Sequence, residues 1–334
     1  MNEMRMLFCC DANANSGFGH FSRCLNLARE LRMADANAQI VFHGDFADFA
    51  KKLLEQYHFK YNTGLLNPQN VADFLTTATS FSHVLVDSYN LNQEFIDKAV
   101  AAPFKFILID DFHAHQDYSK VDLLINFTIA AESLGYNAKN LALGTRYFPV
   151  KPELKEVREL KLKSNQYDLK KLAISLSGMP DFHPLEKQIL EICNKVLSNC
   201  MITLLSSRND VLQIDSQHQN EFVQLQAGAA MEEIYQNNDF IISGGGLVKY
   251  EAAFCGIPNA TISLSDGVQR DTDLFVQQNL TYDLGQAKYF NEAACSASLV
   301  NAFQHKQLSA FKDGTLRNFN TAASSHLIQL LLTC

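Results

Sequence analysis

The chain is expected to be an α/β protein made of two Rossmann-like units, and three observations carry that expectation. Its 334 residues are more than one core usually organises. Short apolar runs that end in polar or acidic residues alternate with amphipathic stretches, once up to about residue 150 and again from about residue 171. Twice, an apolar run passes through a glycine-containing loop into a helical pattern, at Gly17-Phe-Gly19-His20 and at Gly244-Gly245-Gly246. The expected organisation is a domain at 1–150, a connection at 151–170 and a second domain at 171–334.

The elements follow in order. Met4 to Cys10 reads as a buried strand, and a helix begins near Gly19 and runs to about Arg32. Phe21, Cys24, Leu25, Ala28 and Leu31 recur at three- and four-residue steps, so one face of that helix packs on a sheet. The other side of its first turn carries His20 and Arg23, which suit an anionic or oxygen-rich ligand beside free N–H groups. His20 is equally open to a plain helix-capping role. A second strand, Gln39 to Phe42, leads to His43 and Gly44; a polar helical stretch and the loop TGLLNPQN follow. Phe81 to Asp87 is a third strand, which delivers Asp87, Ser88 and Tyr89 to its end. Phe104 to Ile109 is a fourth, ending in Asp110 and Asp111, and Val121 to Asn126 a fifth. Ligands of parallel sheets bind beyond the carboxyl ends of the strands, and Asp11, Asp87, Tyr89, Asp110 and Asp111 all fall there.

The charged stretch from Lys151 to Lys171 is the expected connection, with some helix in it. A second series then begins: a strand from Leu172, the turn Gly178-Met-Pro-Asp181, a helix over Pro184 to Ser198 and a strand from Met201. Phe222 to Leu225 is a short strand and Met231 to Asn237 a short helix. A strand ending at Ser243 then meets the three glycines and a helix from Leu247 to Cys255, closed by Gly256 and Pro258. Such a turn lets backbone N–H groups approach a diphosphate, although a tight strand-to-helix turn with no ligand is the plain alternative. Glu251, further along that helix, is placed to accept from ribose hydroxyls, and Gln269 supplies a polar group to the same edge.

Composition narrows the function. A net charge of −8 argues against nucleic acid as a partner. The eight cysteines contain no C-x-x-C pair and read as small buried hydrophobes in a reducing cytoplasm. Cys9 and Cys10 are adjacent on a strand and so point to opposite faces. Ser22 stands where a dinucleotide fingerprint needs its third glycine, and the following strand ends at His43-Gly44 rather than an acid, which disfavours a nicotinamide cofactor. His113 and His115 beside Asp110, Asp111 and Asp117 have the makings of a metal site, but a polar loop after a strand is preferred, and no metal or cofactor is expected. No G-x-S-x-G nucleophile elbow occurs. The closing HLIQLLLTC is too short to span a bilayer and reads as an amphipathic helix, so no stable membrane insertion is expected.

Taken in order, Asp11…GFGHFSRCLNLARELR, VLVDSYNL, LIDDF, DLLINF, LALGTRYFPVKPEL, ISLSGMPD and IISGGGLVKYEAAFCGIP form a recognisable series. Through most of its length the chain resembles the UDP-2,4-diacetamido-2,4,6-trideoxy-β-L-altropyranose hydrolase family of pseudaminic acid biosynthesis, and the related spore-coat polysaccharide proteins. The resemblance implies the glycosyltransferase-B (GT-B) architecture, two Rossmann-like domains facing a cleft that takes the sugar nucleotide. It implies that His20 is the catalytic base, that Glu251 binds the ribose and that Ser243, Gly244, Gly245, Gly246 and Leu247 form the diphosphate loop. Asp87 and Tyr89 would act with His20, and Asp11, Gly17, Gly19, Arg23 and Gln269 would line the substrate. One departure is Gly178-Met-Pro-Asp181 in place of the more usual Gly-Gly-x-Asp. The expected activity is an inverting release of UDP from a UDP-linked acetamido-deoxy sugar by a cytoplasmic monomer or weak dimer. A GT-B glycosyltransferase with a sugar or lipid acceptor is the alternative; the sequence shows no apolar or basic patch for a membrane acceptor.

Overall fold

The structure is a computed structural model that describes residues 3–13, 15–164, 168–213, 219–226, 229–304 and 308–334. It divides into two compact units, one formed by Met1–Pro152 with Thr321–Cys334 and the other by Glu153–Asn320. Each is a parallel α/β sheet.

In the first unit the elements are β1 (Arg5–Cys10), α1 (Gly19–Ala34), β2 (Gln39–Gly44), α2 (Asp48–Gln56), β3 (Lys60–Thr63), α3 (Val71–Ala78), β4 (His83–Asp87), α4 (Gln93–Ala99), β5 (Lys105–Ile109), β6 (Leu123–Asn126) and β7 (Leu141–Leu143). The sheet order is β3-β2-β1-β4-β5-β6-β7, with every pairing parallel. Strand order reverses at β1, so the crevice between the ends of β1 and β4, where Cys10 pairs with Asp87, is the topological switch point. The strands are apolar throughout because both faces are covered. Met6, Phe8 and Cys10 face the helix α1 residues Phe21, Cys24, Leu25, Ala28 and Leu31, while Leu7 and Cys9 face Phe74 of α3 and Phe95 of α4. Cys9 and Cys10 thus lie in cores on opposite faces of the sheet, and all eight cysteines are free thiols.

The second unit contains α5 (Leu154–Lys163), β8 (Lys171–Ser175), α6 (His183–Val196), β9 (Met201–Ser206), β10 (Glu221–Gln226), α7 (Met231–Asn237), β11 (Phe240–Ser243), α8 (Leu247–Cys255), β12 (Asn259–Ser263), α9 (Asp266–Gln277), β13 (Tyr282–Gln286), α10 (Glu292–Gln304) and α11 (Leu308–Asn318). Its parallel order is β10-β9-β8-β11-β12-β13, which reverses at β8. The last helix, α12 (Ala323–Thr333), belongs to the first unit.

The structure differs from the sequence expectation at identifiable places. Residues 321–334, expected in the second domain, join the first unit, because Leu327, Ile328 and Leu331 of α12 complete the core beside α1. Ser324 reinforces that placement by accepting from the Val150 N–H at 3.0 Å. The expected connection is in part a helix of the second unit: Leu154 and Val157 of α5 are buried, and Arg158 donates to the carbonyls of Phe254 and Phe319. Three short strands carry no clear sequence signal. β3 is largely exposed, β7 has three residues and β13 is mostly polar, so none shows the apolar run that identifies a covered strand. No helix among the described residues is long and apolar enough to cross a membrane.

One buried acid in the second unit leaves a pH signature. Glu186 in the first turn of α6 is fully buried and accepts from Ser206 Oγ at 2.6 Å, while its Oε1 has no hydrogen-bond partner. Burial pushes its carboxyl up to about 7, only partly offset by the Ser206 bond and Arg208. The folded pKa lies above the unfolded value, so stability is undiminished below about pH 4.5 and falls as pH rises towards 7. Glu186→Gln, a neutral near-isostere, is therefore expected to gain on the wild type between pH 5 and pH 8 by on the order of 2–3 kcal/mol. Urea denaturation at the two pH values checks this; a pH-independent difference would contradict it.

Candidate active site

In the first unit, the switch point holds a buried polar network. α1 starts shortly after β1, so its first turns stand over the ends of β1 and β4. There His20, Arg23, Asp87 and Asp111 are each buried, with Asp87 fully so. His20 Nδ1 lies 2.6 Å from Asp87 Oδ1. Arg23 donates to Asp87 through Nε and through Nη2, the latter at 2.5 Å, and to both Asp111 oxygens through Nη1 at 3.0 and 2.8 Å. Phe127 lies 5.2 Å from the guanidinium carbon and covers its face. Tyr89 donates its hydroxyl to Asp111 at 2.7 Å, and its ring stands edge-on to the His20 imidazole with centroids 4.3 Å apart. His20, Asp87, Arg23, Asp111 and Tyr89 thus form one continuous chain of contacts.

The electrostatics follow from one guanidinium facing two carboxylates. Burial by itself would raise the Asp87 carboxyl, but Arg23 and then His20 more than reverse this and hold it down at about 2. Asp87 is ionised at neutral pH. Burial works against the Arg23 charge, yet Asp111 and Asp87 raise its pKa well above the ordinary value, so it stays charged. Burial and the neighbouring Asp111 also push the Tyr89 phenol far above its usual range, leaving it a permanent hydrogen-bond donor.

The remaining residues singled out in this unit lie nearby in the chain trace. Asp11 follows β1, accepts from the Asp45 N–H at 2.9 Å, and is raised chiefly by burial. Gly17 takes a left-handed φ of 69° and donates to the Asn13 carbonyl at 2.9 Å, closing the loop that leads into α1. A side chain at Gly19 would meet nothing within 4 Å. Sequence reasoning placed Asp111 at the strand end without assigning it to the site. Strand alternation is the signal that separates it from Asp110. Asp110 instead accepts from the Phe112 and Ala114 N–H groups at 2.9 and 3.0 Å and from the Tyr118 hydroxyl, and so organises its own loop. Among the described residues, no group of three or more His, Cys, Asp or Glu is arranged to hold a metal ion.

In the second unit the glycine turn sits at the other switch point, after β11 and beside β8. Two of its glycines are required by the fold. A Cβ on Gly244 would stand 2.1 Å from the Leu176 carbonyl oxygen, and Gly245 has a φ of 87° with Val268 Cγ1 in the way at 2.3 Å. Gly246 is different: a side chain there would meet nothing within 4 Å. It is exposed and is the N-cap of α8, with no side-chain cap on the first turn. That leaves open approach to uncapped helix N–H groups, the geometry that binds anions. Leu247, the first residue of α8, is half-buried. Ser243 is fully buried and its hydroxyl pairs with Thr261 at 3.4 Å. Glu251 is buried and accepts from Tyr235 at 2.7 Å. Gln269 donates to Asp273 and Asp283 at 2.8 and 3.1 Å, and its buried Oε1 has no partner.

No family model matches the chain. It is 24% identical over 275 residues to an uncharacterized protein of Methanocaldococcus jannaschii, covering 76% of this chain. The chain spans about half, 54%, of that relative's length. The fold is similar to the UDP-GlcNAc 2-epimerase of Neisseria meningitidis solved with UDP-GlcNAc, with a TM-score of 0.60, 12% identity, and 99% of this chain and 100% of that one covered. It is also similar to the spinosyn forosaminyltransferase SpnP, with a TM-score of 0.66, 11% identity and 100% of both chains covered. The fold class is thus α/β of the GT-B glycosyltransferase-like kind, with two parallel sheets.

Two outcomes follow from the geometry. Arg23→Met leaves two buried carboxylates without their cation and is expected to destabilise the first unit by roughly 3–5 kcal/mol in chemical denaturation. A loss below about 1 kcal/mol, the scale of a surface pair, would contradict the burial of this clamp. In the second unit, Gly244→Ala is expected to lose on the order of 1–3 kcal/mol through its clash with Leu176, while Gly246→Ala stays within about 0.5 kcal/mol. Thermal melts of the two variants check the contrast.

Proposed function

We propose that the chain hydrolyses a UDP-linked acetamido-deoxy sugar with inversion at the anomeric carbon, in nonulosonic acid or surface-glycan biosynthesis. The observation that carries the reading is the His20–Asp87 pair at 2.6 Å, with Asp87 ionised and fully buried. A carboxylate on Nδ1 selects the tautomer in which Nδ1 carries the proton, leaving the Nε2 lone pair as base. Nε2 takes a proton from water, the water oxygen forms a bond to the anomeric carbon, and the bond from that carbon to the phosphate oxygen breaks. The free sugar and UDP are the products.

The network supports each part of that step. With His20 neutral, Arg23 faces the Asp87 and Asp111 carboxylates alone, and the cluster carries a negative charge. Proton uptake by His20 brings it to balance. Arg23 acts through the two carboxylates rather than on the substrate, and Tyr89 holds the imidazole edge-on. On the nucleotide side, the α8 N–H groups behind Gly246 and the helix dipole would receive the diphosphate and stabilise the departing charge, work often given to a metal. Glu251 and Gln269 would take the ribose and neighbouring polar groups, and Gly17, Gly19 and Asp11 would border the sugar. The resemblance of the ordered motif series to the pseudaminic acid hydrolases favours water as acceptor. The structural likeness to an epimerase solved with UDP-GlcNAc is consistent with a UDP-sugar ligand.

A hydroxyl acceptor is the second reading. Tyr89 and Phe112 are 58% and 41% exposed and lie against each other beside the base, a surface on which an acceptor could rest. The likeness to a forosaminyltransferase points the same way.

An NMR time course with UDP-acetamido sugars, EDTA and no acceptor separates the two. Hydrolysis is expected to release UDP and free sugar of inverted configuration; bound but intact substrate would support the transferase. His20→Ala is expected to cut turnover at least about 100-fold while leaving UDP affinity within about twofold. Loss of UDP binding and turnover together would contradict the role given to His20.

A further inference from the structure

Beside the His20 network, the first unit contains a pocket of about 310 Å³ lined by Ser88, Tyr89, Ile109, Asp110, Phe112, Ala114 and His115. It lies at the small end of the range typical of ligand sites, about 300–1,000 Å³. Tyr89 is common to the pocket and the catalytic network, its ring 4.3 Å from His20 and 5.3 Å from Phe112. A group seated in the pocket is therefore about one ring away from the base. It belongs beside the reacting atoms and not at them.

The wall of this pocket is held by hydrogen bonds at every residue from 112 to 115. Asp110 accepts from the Phe112 and Ala114 N–H groups, Tyr136 Oη accepts from His113 N at 2.9 Å, and Tyr118 Oη accepts from His115 N at 2.8 Å. Tyr136 in turn donates to the Asp110 carbonyl at 2.7 Å. These bonds hold His113 in its left-handed conformation, φ 54°. The pocket is pre-formed.

Its chemistry is selective. Tyr89, Phe112, Ile109 and Ala114 offer apolar surface. Asp110 accepts three hydrogen bonds from its own loop, so it contributes charge and little remaining acceptor capacity. Ser88 Oγ accepts from the Asn90 N–H at 3.2 Å, which leaves its hydroxyl hydrogen for another acceptor. Burial, assisted by His113 against the opposing effect of Asp110, lowers the His115 pKa and keeps the imidazole neutral, with one donor and one acceptor. Asp87 and Asp111 share the guanidinium of Arg23 and Asp110 adds a further carboxylate to the pocket wall, so the surroundings repel a carboxylate or phosphate.

We propose that this pocket seats an uncharged acylamino substituent of the sugar, its methyl end against Phe112 and Ala114 and its amide served by Ser88 and His115. The inference rests on the function proposed above and extends it by naming residues that set substrate choice.

The test compares UDP-N-acetylhexosamine with the matching UDP-hexose and UDP-hexuronate in the wild type, Ala114→Leu and His115→Ala, reading kcat/KM and UDP affinity. Ala114→Leu fills the pocket; His115→Ala removes its imidazole and serves if the first variant folds poorly. The wild type is expected to prefer the N-acetyl substrate by about tenfold or more, with the hexuronate poorest. Each variant is expected to lower that preference to about threefold or less with UDP affinity unchanged. A wild type without preference, or variants that keep it, would overturn the pocket assignment while leaving the hydrolase reading intact. If the wild type neither binds nor turns over any UDP-sugar, the functional reading fails, and titration of free N-acetylhexosamine decides the pocket separately. Amide shifts at Ser88, Ala114 and His115 would keep it as an acylamino site; their absence would overturn it.

Discussion

The candidate site depends on a single buried cation. Arg23 holds Asp87 and Asp111 together, and through them fixes His20 on one side and Tyr89 on the other. Placing a guanidinium and two carboxylates out of water costs free energy that their attraction does not reliably recover. The arrangement is therefore weak as a source of stability and strong as a source of geometry. Each group has its position set by the others, so the imidazole cannot turn without disturbing an ion pair. Arg23, followed by His20, keeps Asp87 ionised against the cost of burial, while burial and Asp111 keep Tyr89 protonated, which gives each a defined role.

This network stands where strand order reverses. In the first unit β1 and β4 are adjacent with their helices diverging, which opens a crevice into which α1 projects its first turns. The second unit repeats the device at β8 and β11, with different chemistry: a backbone turn and a helix N-terminus instead of a cluster of side chains. One architectural rule thus yields two kinds of site. One is built from charged side chains and the other from backbone N–H groups.

The glycine run shows how a motif can have two origins. Gly244 and Gly245 are demanded by the close approach of Leu176 and by a left-handed backbone with Val268 against it. Only Gly246 lacks a packing or conformational reason. The anion-binding argument therefore rests on one residue and on the uncapped turn behind it. The count of three is largely a matter of folding.

Much of the fold was legible without coordinates, because covered parallel strands leave uninterrupted apolar runs and amphipathic helices leave a regular stripe. β1, β2, β4, β5, α1, α7 and α8 could be read this way, and Asp87 could be placed at a strand end by simple alternation. Edge strands such as β3, largely exposed, and β13, mostly polar, carry no such mark. The sequence by itself determined which side chains are available at each strand end and which residue types can do chemistry there. Only the tertiary structure decided that Asp111 shares the Arg23 guanidinium with Asp87, and that α12 returns to the first unit. These outcomes depend on contacts between residues far apart in the chain, where local periodicity carries no information. A carboxylate's partner is chosen by whichever donor the completed core brings within reach.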